Sequence, residues 1–495
     1  MTVTADLDHV EMVVGGEPVD SVSGETMQVL NPATNAPYAT VPRAVEADVD
    51  RAVAAAEKAF PSWSRTAPGK RTALMMRFAQ LMQDRSEELE RAESIDSGKP
   101  VMFAARPELA HSIEVMTFYA GATSKLTGET VPTSPHMFTY TLREPLGVCG
   151  QIIPWNYPLM MAVWKIAPAI AAGNTVILKP ASNTPITALM LARLALEAGI
   201  PAGVVNVITG PGAKIGAYLA GHPSVAKVAF TGETATGRTI MSIASQTMKR
   251  VTLELGGKSA NIVFEDANLE DAVNGSLFAI YYNAGQSCEA RSRLLIQRSV
   301  YDAFVERFAA KTARIKVGDP LDPATQVGAI ISPSQLESIE RYVEIGEEEG
   351  ATVVAGGKRP EDPTLAGGNF LLPTALANAD NSMRVAQEEI FGPVVVMIPF
   401  DTEEEAIALA NDSIYGLAGT VWTQNLARAH RVVAGVQTGL IGVNTPATGT
   451  PGIPFGGFKQ SGIGRELSFE ALKQYTEIKG VLINTSSRPV NPWRL

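Results

Sequence analysis

Apolar positions recur at helical spacing early in the chain, and short apolar runs take over later. Leu74, Phe78, Leu81 and Met82 fall on one face of a 3.6-residue repeat, which predicts a helix over Gly69 to Ser97 beside another over Glu46 to Phe60. The residues before Glu46 carry no clear period and read as an irregular start. From Val148 the pattern changes. Apolar runs at Val148 to Ile153, Thr175 to Leu178, Val204 to Ile208 and Lys227 to Phe230 alternate with helical stretches near Thr187 to Ala198 and Lys214 to Ala220. Strand alternating with helix predicts a parallel, doubly wound sheet.

A second alternating block follows Leu255. Ala260 to Phe264 and Arg293 to Gln297 read as strands and Val300 to Ala313 as a helix. Val394 to Phe400, a Glu403 to Ala410 helix, Gly419 to Trp422 and Leu440 to Asn444 continue it. A Gly-rich loop, Pro454 to Gly464, comes next. Neither lobe needs the strand-like Tyr475 to Asn484, whose natural partner is Phe138 to Glu144, the two forming a separate arm. The expected fold class is thus α/β, with two doubly wound lobes and a small β arm. Residues 1–125 and 146–256 would make one lobe, 257–460 the second, and 126–145 with 461–495 the arm and C-terminal segment.

Composition narrows the function. The chain has 495 residues, about three domains' worth at roughly 150 each, and carries 41 Lys+Arg against 51 Asp+Glu, a net charge of −10. No basic stripe is available to neutralise phosphates along a duplex, so nucleic acid is not an expected partner. The apolar stretch Pro158 to Gly173 is interrupted by Lys165 and Pro168 and is shorter than the roughly 20 residues that span a bilayer. Asp6, Asp8 and His9 stand where a signal peptide needs a cationic start and an apolar run. Two cysteines, Cys149 and Cys288, make no disulfide framework and no metal-type spacing. A cytoplasmic protein with no membrane span and no metal is expected.

The chemistry-bearing motifs are weak singly. Phe230-Thr-Gly-Glu-Thr-Ala-Thr-Gly237 puts Gly232 and Gly237 at a strand-to-helix junction, where free N–H groups and the helix terminus favour a phosphate. The spacing fits neither the dinucleotide fingerprint nor a P-loop, and a plain glycine turn explains it equally well. Lys179, in Lys179-Pro-Ala-Ser-Asn, ends a parallel strand, a placement suited to meeting a ligand or simply to solvent. Cys288 in Asn283-Ala-Gly-Gln-Ser-Cys288 and Glu254 in Leu253-Glu-Leu-Gly-Gly257 would by themselves read as a small buried residue and a turn.

Taken in order they are specific. Pro154-Trp-Asn-Tyr-Pro158, Lys179-Pro-Ala, Phe230-Thr-Gly, Leu253-Glu-Leu-Gly-Gly-Lys258, Gly285-Gln-Ser-Cys288, Glu388-Glu-Ile-Phe-Gly-Pro393 and Pro454-Phe-Gly-Gly-Phe-Lys459 follow the sequence of motifs in the aldehyde dehydrogenase superfamily. The chain resembles that family from about Val29 to Ile483, most closely its betaine-aldehyde and aminoaldehyde branch. The resemblance implies NAD(P)+-dependent oxidation of an aldehyde to a carboxylate. Cys288 would be the nucleophile, Asn156 the oxyanion donor with the Cys288 N–H, and Glu254 the base for the deacylating water. Lys165 and Glu466 match positions used to relay the proton, and a structural ion pair would need the same two residues.

The same resemblance implies a site for NAD or NADP. Lys179 would meet the adenosine ribose, Gly232 and the backbone at Glu233 the pyrophosphate, Glu389 the nicotinamide ribose and Phe391 the nicotinamide region, with Trp155, Leu255 and Gly237 alongside. Two departures stand out: Glu233 where many relatives carry Ser, and Ser182 where strictly NAD-dependent relatives often carry Glu. Tyr157, Trp164, Tyr282 and Phe455 match tunnel positions that are aromatic in enzymes for cationic aldehydes, where they cage the charged end. Phe455 stands where those relatives typically have Trp, and an apolar tunnel for aromatic or medium-chain aldehydes would use the same rings. Arg250, Arg465 and Glu477 match positions that tie a lobe to a neighbouring subunit's arm, which implies a homodimer or homotetramer. Cys149 has no motif around it and reads as core.

Two other classes are open to a lone reactive cysteine. A papain-like hydrolase needs a histidine partner, and His9, His111, His136, His222 and His430 sit in no such motif. A binding protein would have no need of Cys288 and Glu254 together.

Overall fold

The structure is a computed structural model that describes residues 8–446, 449–487 and 493. The start around Asp6 and most of the tail beyond residue 487 lie outside the described residues.

Two large sheets carry the α/β fold. The first has eight strands, ordered Gly462–Ile463, Arg250–Glu254, Val225–Thr231, Val148–Ile152, Thr175–Lys179, Val205–Val207, Met12–Val14 and Glu17–Val19. Its five central strands are parallel. Chain order reverses between Val148–Ile152 and its neighbour Val225–Thr231, so the loops after Ile152 and Thr231 open a crevice of the kind where doubly wound sheets bind ligands. The second sheet has seven strands, with Arg293–Gln297 between Val394–Phe400 and Ala260–Val263.

Helices cover both sheets because their apolar stripes have nowhere else to go. The helix Pro158–Ala171 is buried along nearly its whole length, which explains why its sequence looks membrane-like. Among the described residues no helix is long and apolar enough to cross a membrane.

Three expectations need correction. The stretch read as one helix over 69–97 is two, Pro68–Asp84 and Ser86–Ser97, broken at Arg85, whose φ of −107° and ψ of 24° leave the helical region. The apolar period runs across that break, so periodicity alone cannot reveal it. The start before Glu46 is also regular: Met12–Val14 and Glu17–Val19 form a hairpin on the edge of the first sheet, and Thr26–Leu30, Pro37–Pro42 and Asp8–His9 make a small three-stranded sheet. Third, residues assigned to the C-terminal segment join the first lobe, since Gly462–Ile463 pairs antiparallel with Arg250–Glu254.

Met137–Pro145 and Thr476–Asn484 pair antiparallel over nine residues, Met137 opposite Asn484. Arg250 and Glu477 form an ion pair at 2.6 Å that ties this two-stranded sheet to the first lobe within the same chain. Arg465 takes no part in that pair. It donates to the main-chain oxygens of Gly464 at 2.6 Å and Gly457 at 3.2 Å.

Candidate active site

Cys288 precedes the strand Arg293–Gln297 on a loop with unusual backbone geometry. Asn283, Ala284 and Gly285 are all left-handed, with φ of 50°, 55° and 68°. Such geometry in an alanine costs energy, and it clusters at functional sites where surrounding contacts enforce it. Here the enforcement is visible. A Cβ on Gly285 would lie 2.1 Å from the Gly392 carbonyl, and one on Gly257 would lie 2.3 Å from the Cys288 carbonyl. The glycines at 256 and 257 therefore admit two neighbours: Gly257 the cysteine loop, and Gly256 the Glu389 carboxylate, 2.3 Å from where its Cβ would be.

These segments enclose a cavity of about 530 Å³. Cys288, Glu254, Asn156 and Glu466 line it, as do all four aromatic residues expected in the tunnel, Tyr157, Trp164, Tyr282 and Phe455. Cys288 is half-buried, and its thiol is pushed well above the ordinary range by burial and then by the carboxylates Glu289, Glu389 and Glu254. Glu254 is buried with neither carboxylate oxygen hydrogen-bonded, and burial followed by Glu466 raises its pKa while Lys165 opposes the rise. A Cβ on Gly456 would stand 2.8 Å from Glu254 Oε1, which accounts for the glycine in the Pro454 motif.

Lys165 lies behind the lining and binds Glu466 Oε1 at 2.5 Å. The Asn156 amide spends one hydrogen on the Gln286 carbonyl at 3.0 Å. An amide nitrogen carries two hydrogens, so one is left for another acceptor.

On the crevice side, Trp155, Gly232, Glu233, Leu255, Glu389 and Phe391 also line the cavity. Trp155 meets the Phe391 ring edge-on at 5.2 Å, and Phe391 is itself left-handed at φ 57°. Burial pushes Glu389 up to about 7, and its Oε1 accepts from the Gly257 N–H at 2.9 Å. Lys179, Ser182 and Gly237 are outside the lining. Lys179 is buried at the end of its strand, where burial lowers it to about 8, and donates to the Pro180 carbonyl at 2.8 Å. The Ser182 hydroxyl donates to the Gly210 carbonyl at 2.9 Å. Gly237 packs where a Cβ would come within 2.5 Å of Leu255. One detail differs from expectation: the Gly232 N–H is spent on the Glu254 carbonyl at 3.1 Å, because the two strands end side by side, and it is not free for a phosphate. The helix start Thr234–Ser245 and the unpartnered Thr231 hydroxyl are the donors nearby.

The sequence pattern of the aldehyde dehydrogenase family matches residues 19–481. The chain belongs to the aldehyde dehydrogenase family. It is 46% identical to an aldehyde dehydrogenase of Emericella nidulans over 95% of this chain and 94% of that one. An aldehyde dehydrogenase from Bacillus cereus, solved as its NAD+ complex, superposes with a TM-score of 0.95 at 44% identity, covering 97% of each chain. Betaine aldehyde dehydrogenase from Staphylococcus aureus, also solved with NAD+, gives a TM-score of 0.95 at 40% identity over 98% of this chain and 96% of that one. Like other family members, this chain is an oxidoreductase acting on aldehydes.

Several lining residues escaped the motif reading. Glu108 and His111, one helical turn apart on Arg106–Ala122, and Glu289, next to the cysteine, all face the cavity. His111 packs edge-on against Trp164 at 5.7 Å, and burial holds it down to about 4, so it is neutral near pH 7. Tyr157 caps the helix Pro158–Ala171 and is not part of it, and one face of its ring already carries the Lys99 ammonium at 4.8 Å.

Proposed function

We propose that this aldehyde dehydrogenase uses NAD+ or NADP+ to oxidise an aldehyde bearing an amino or trimethylammonio end group. The observation that carries the substrate class is the charge of the lining. Glu108 and Glu289 stand among the aromatic rings beyond the cysteine, and no lysine or arginine is among the described lining residues. Lys99 and Arg291 approach those carboxylates only from behind. Ring faces attract a desolvated ammonium by as much as about 2 kcal/mol. Burial pushes Glu108 up to about 7 and raises Glu289, and a cation bound beside them favours their ionised forms, which add to the attraction. Trp164 and Phe455 meet edge-on at 5.3 Å, and Tyr282 lies against Phe278 at 5.1 Å.

The cofactor residues fit a dinucleotide. The crevice ends at a helix start, Gly256 leaves room for Glu389, and Trp155 and Phe391 offer ring edges. A dinucleotide held there would supply the hydride acceptor. Cys288 Sγ attacks the aldehyde carbon, its proton leaving to a base, and the carbonyl oxygen becomes an oxyanion held by the free Asn156 N–H. Loss of hydride converts this thiohemiacetal to a thioester. Glu254 takes a proton from water as the water attacks that thioester, releasing the carboxylate and the thiol. Lys165 and Glu466 lie next to Glu254 and suit a relay of that proton towards solvent.

A second reading, neutral aromatic or medium-chain aldehydes, draws on the exposed Phe103 and Phe278 that also line the cavity. Reduced-cofactor absorbance decides between them. kcat/KM for betaine aldehyde and 4-aminobutyraldehyde should exceed that for hexanal and phenylacetaldehyde and should fall selectively in Trp164→Ala. A preference for the neutral pair rejects the cationic assignment.

We further propose that the arm joins copies of this chain into a dimer or tetramer, because Phe138, Leu142, Ile478 and Leu482 are exposed on its two strands. Open two-stranded sheets with apolar faces are not stable alone in water.

A further inference from the structure

Behind Asn156 lies a charged cluster to which the reaction steps above give no role. Lys99 is 1% exposed, and its ammonium meets three acceptors: Glu93 Oε1 at 3.0 Å, Glu108 Oε2 at 2.5 Å and the main-chain oxygen of Asn156 at 3.0 Å. Asn283, one of the left-handed residues of the cysteine loop, donates its Nδ2 to that same Asn156 oxygen at 3.0 Å and to the Gln286 carbonyl at 3.2 Å. The Gln286 carbonyl also receives the Asn156 side chain. The backbone of Asn156 and the loop that carries Cys288 are thus stitched together by two donors from opposite sides.

The cluster reaches further. Glu93 Oε2 accepts from the Leu159 N–H at 3.3 Å and the Thr187 hydroxyl at 2.8 Å, which fixes the first turn of the helix carrying Lys165. Glu108 Oε1 accepts from the Tyr282 hydroxyl at 3.1 Å, at the cavity wall. A buried carbonyl needs a hydrogen bond, but a neutral donor such as Asn283 already provides one. Burying an ammonium between two carboxylates costs several kcal/mol of desolvation per ion and rarely improves stability over an apolar replacement. Charge-assisted hydrogen bonds are shorter and about twice as strong as neutral ones, so what such a cluster adds is a fixed position.

We propose that Lys99 and Asn283 are positioning residues for the reaction: together they clamp the Asn156 carbonyl so that its side-chain amide stays aimed at the oxyanion. The proposal rests on Asn156 being the oxyanion donor. A donor that is 1 Å out of place loses much of its effect on rate, although the protein remains folded and binds cofactor.

The test is a double-mutant cycle read on acylation, the single-turnover burst of reduced cofactor. Lys99→Met and Asn283→Gly are each made in the wild type and in Asn156→Ala. Each should slow the burst about 10- to 100-fold in the wild type, the scale of one oxyanion donor, with the Kd for NAD+ unchanged. In Asn156→Ala the same changes should cost less than about threefold, because coupled residues are not additive. Lys99→Met strands two carboxylates; if it does not fold, Asn283→Gly, which changes no charge and accepts the left-handed φ of 50°, carries the cycle. Equal losses in both backgrounds, or a folded variant with a wild-type burst, overturns the clamp while leaving Asn156 its role. A wild-type burst from Asn156→Ala itself overturns the oxyanion reading, and the clamp with it.

Discussion

Lys165 Nζ sits 2.5 Å from Glu466 Oε1, both side chains buried, and the pair sets the charge felt by Glu254 from opposite directions. Glu466 opposes ionisation of Glu254 and Lys165 favours it, while burial outweighs both. A general base works ionised, so thioester hydrolysis should rise with pH through a Glu254 pKa lying above the usual carboxylate range. Removing the cation in Lys165→Met should move that limb to higher pH. Removing the anion in Glu466→Gln should move it to lower pH. The measurement is the pH profile of hydrolysis in single turnover; shifts of the same sign in both variants would show that the pair does not act on Glu254 through charge.

The division of labour between Cys288 and Glu254 gives a second expectation. Cys288→Ala should lose turnover entirely. Glu254→Gln should keep a burst of reduced cofactor and lose hydrolysis by about 10²- to 10⁴-fold, the range for general base catalysis. Intact mass should then show the acyl group retained on Cys288. Steady turnover of Glu254→Gln near the wild-type rate would assign the base elsewhere.

The thiol gives a third. Burial comes first among the causes that raise its pKa, and the Glu289 charge second. Glu289→Gln should therefore lower the thiol pKa, and the pH midpoint for alkylation by iodoacetamide should move down. An unmoved midpoint would mean that Arg291, 3.3 Å from Glu289, already cancels the charge at Cys288.

How much of this could be read from the chain follows from the range of each interaction. The strands Arg293–Gln297 and Val394–Phe400 match their expected bounds residue for residue, since the core of a buried parallel strand is written as one local apolar run. The pairing of 137–145 with 476–484 was also accessible, because two strand-like segments lacked a place in either lobe. The hairpin Met12–Val19 has no apolar period but a legible turn: Val13-Val14-Gly15-Gly16-Glu17-Pro18-Val19 has the two-glycine turn between apolar positions that such hairpins use, with φ of 65° and 87° at the glycines. Cys288, Glu254 and Asn156 were legible through motif order, not through local pattern. Lys99, Glu108 and Asn283 were not, because their meaning lies in contacts across 57, 174 and 127 residues of chain that no local spacing encodes.

The arm yields a fourth expectation. Phe138 faces Ile483 across the two strands and both are exposed, so one face of the arm offers apolar surface to another copy of the chain. Phe138→Asp with Ile483→Asp should lower the mass seen by light scattering towards that of the single 52.5 kDa chain. An unchanged mass would move the contact to another surface.

The cofactor yields the last. Ser182 follows the buried Lys179 by three residues, and its hydroxyl is held by the Gly210 carbonyl at 2.9 Å, so the loop carries a cation and no acid beside it. NADP+ differs from NAD+ by a 2′-phosphate, and a carboxylate at 182 would repel it while leaving NAD+ little changed. Two like charges 4 Å apart cost about 1 kcal/mol in water and about 4 in a partly buried site, so Ser182→Glu should weaken NADP+ by at least about fivefold. Wild-type protein should accept both cofactors. Titration of each against wild type and variant measures this directly: an equal loss for both would mean that residue 182 disturbs the loop as a whole, and wild-type protein that ignores NADP+ would show that Lys179 does not serve the 2′-phosphate.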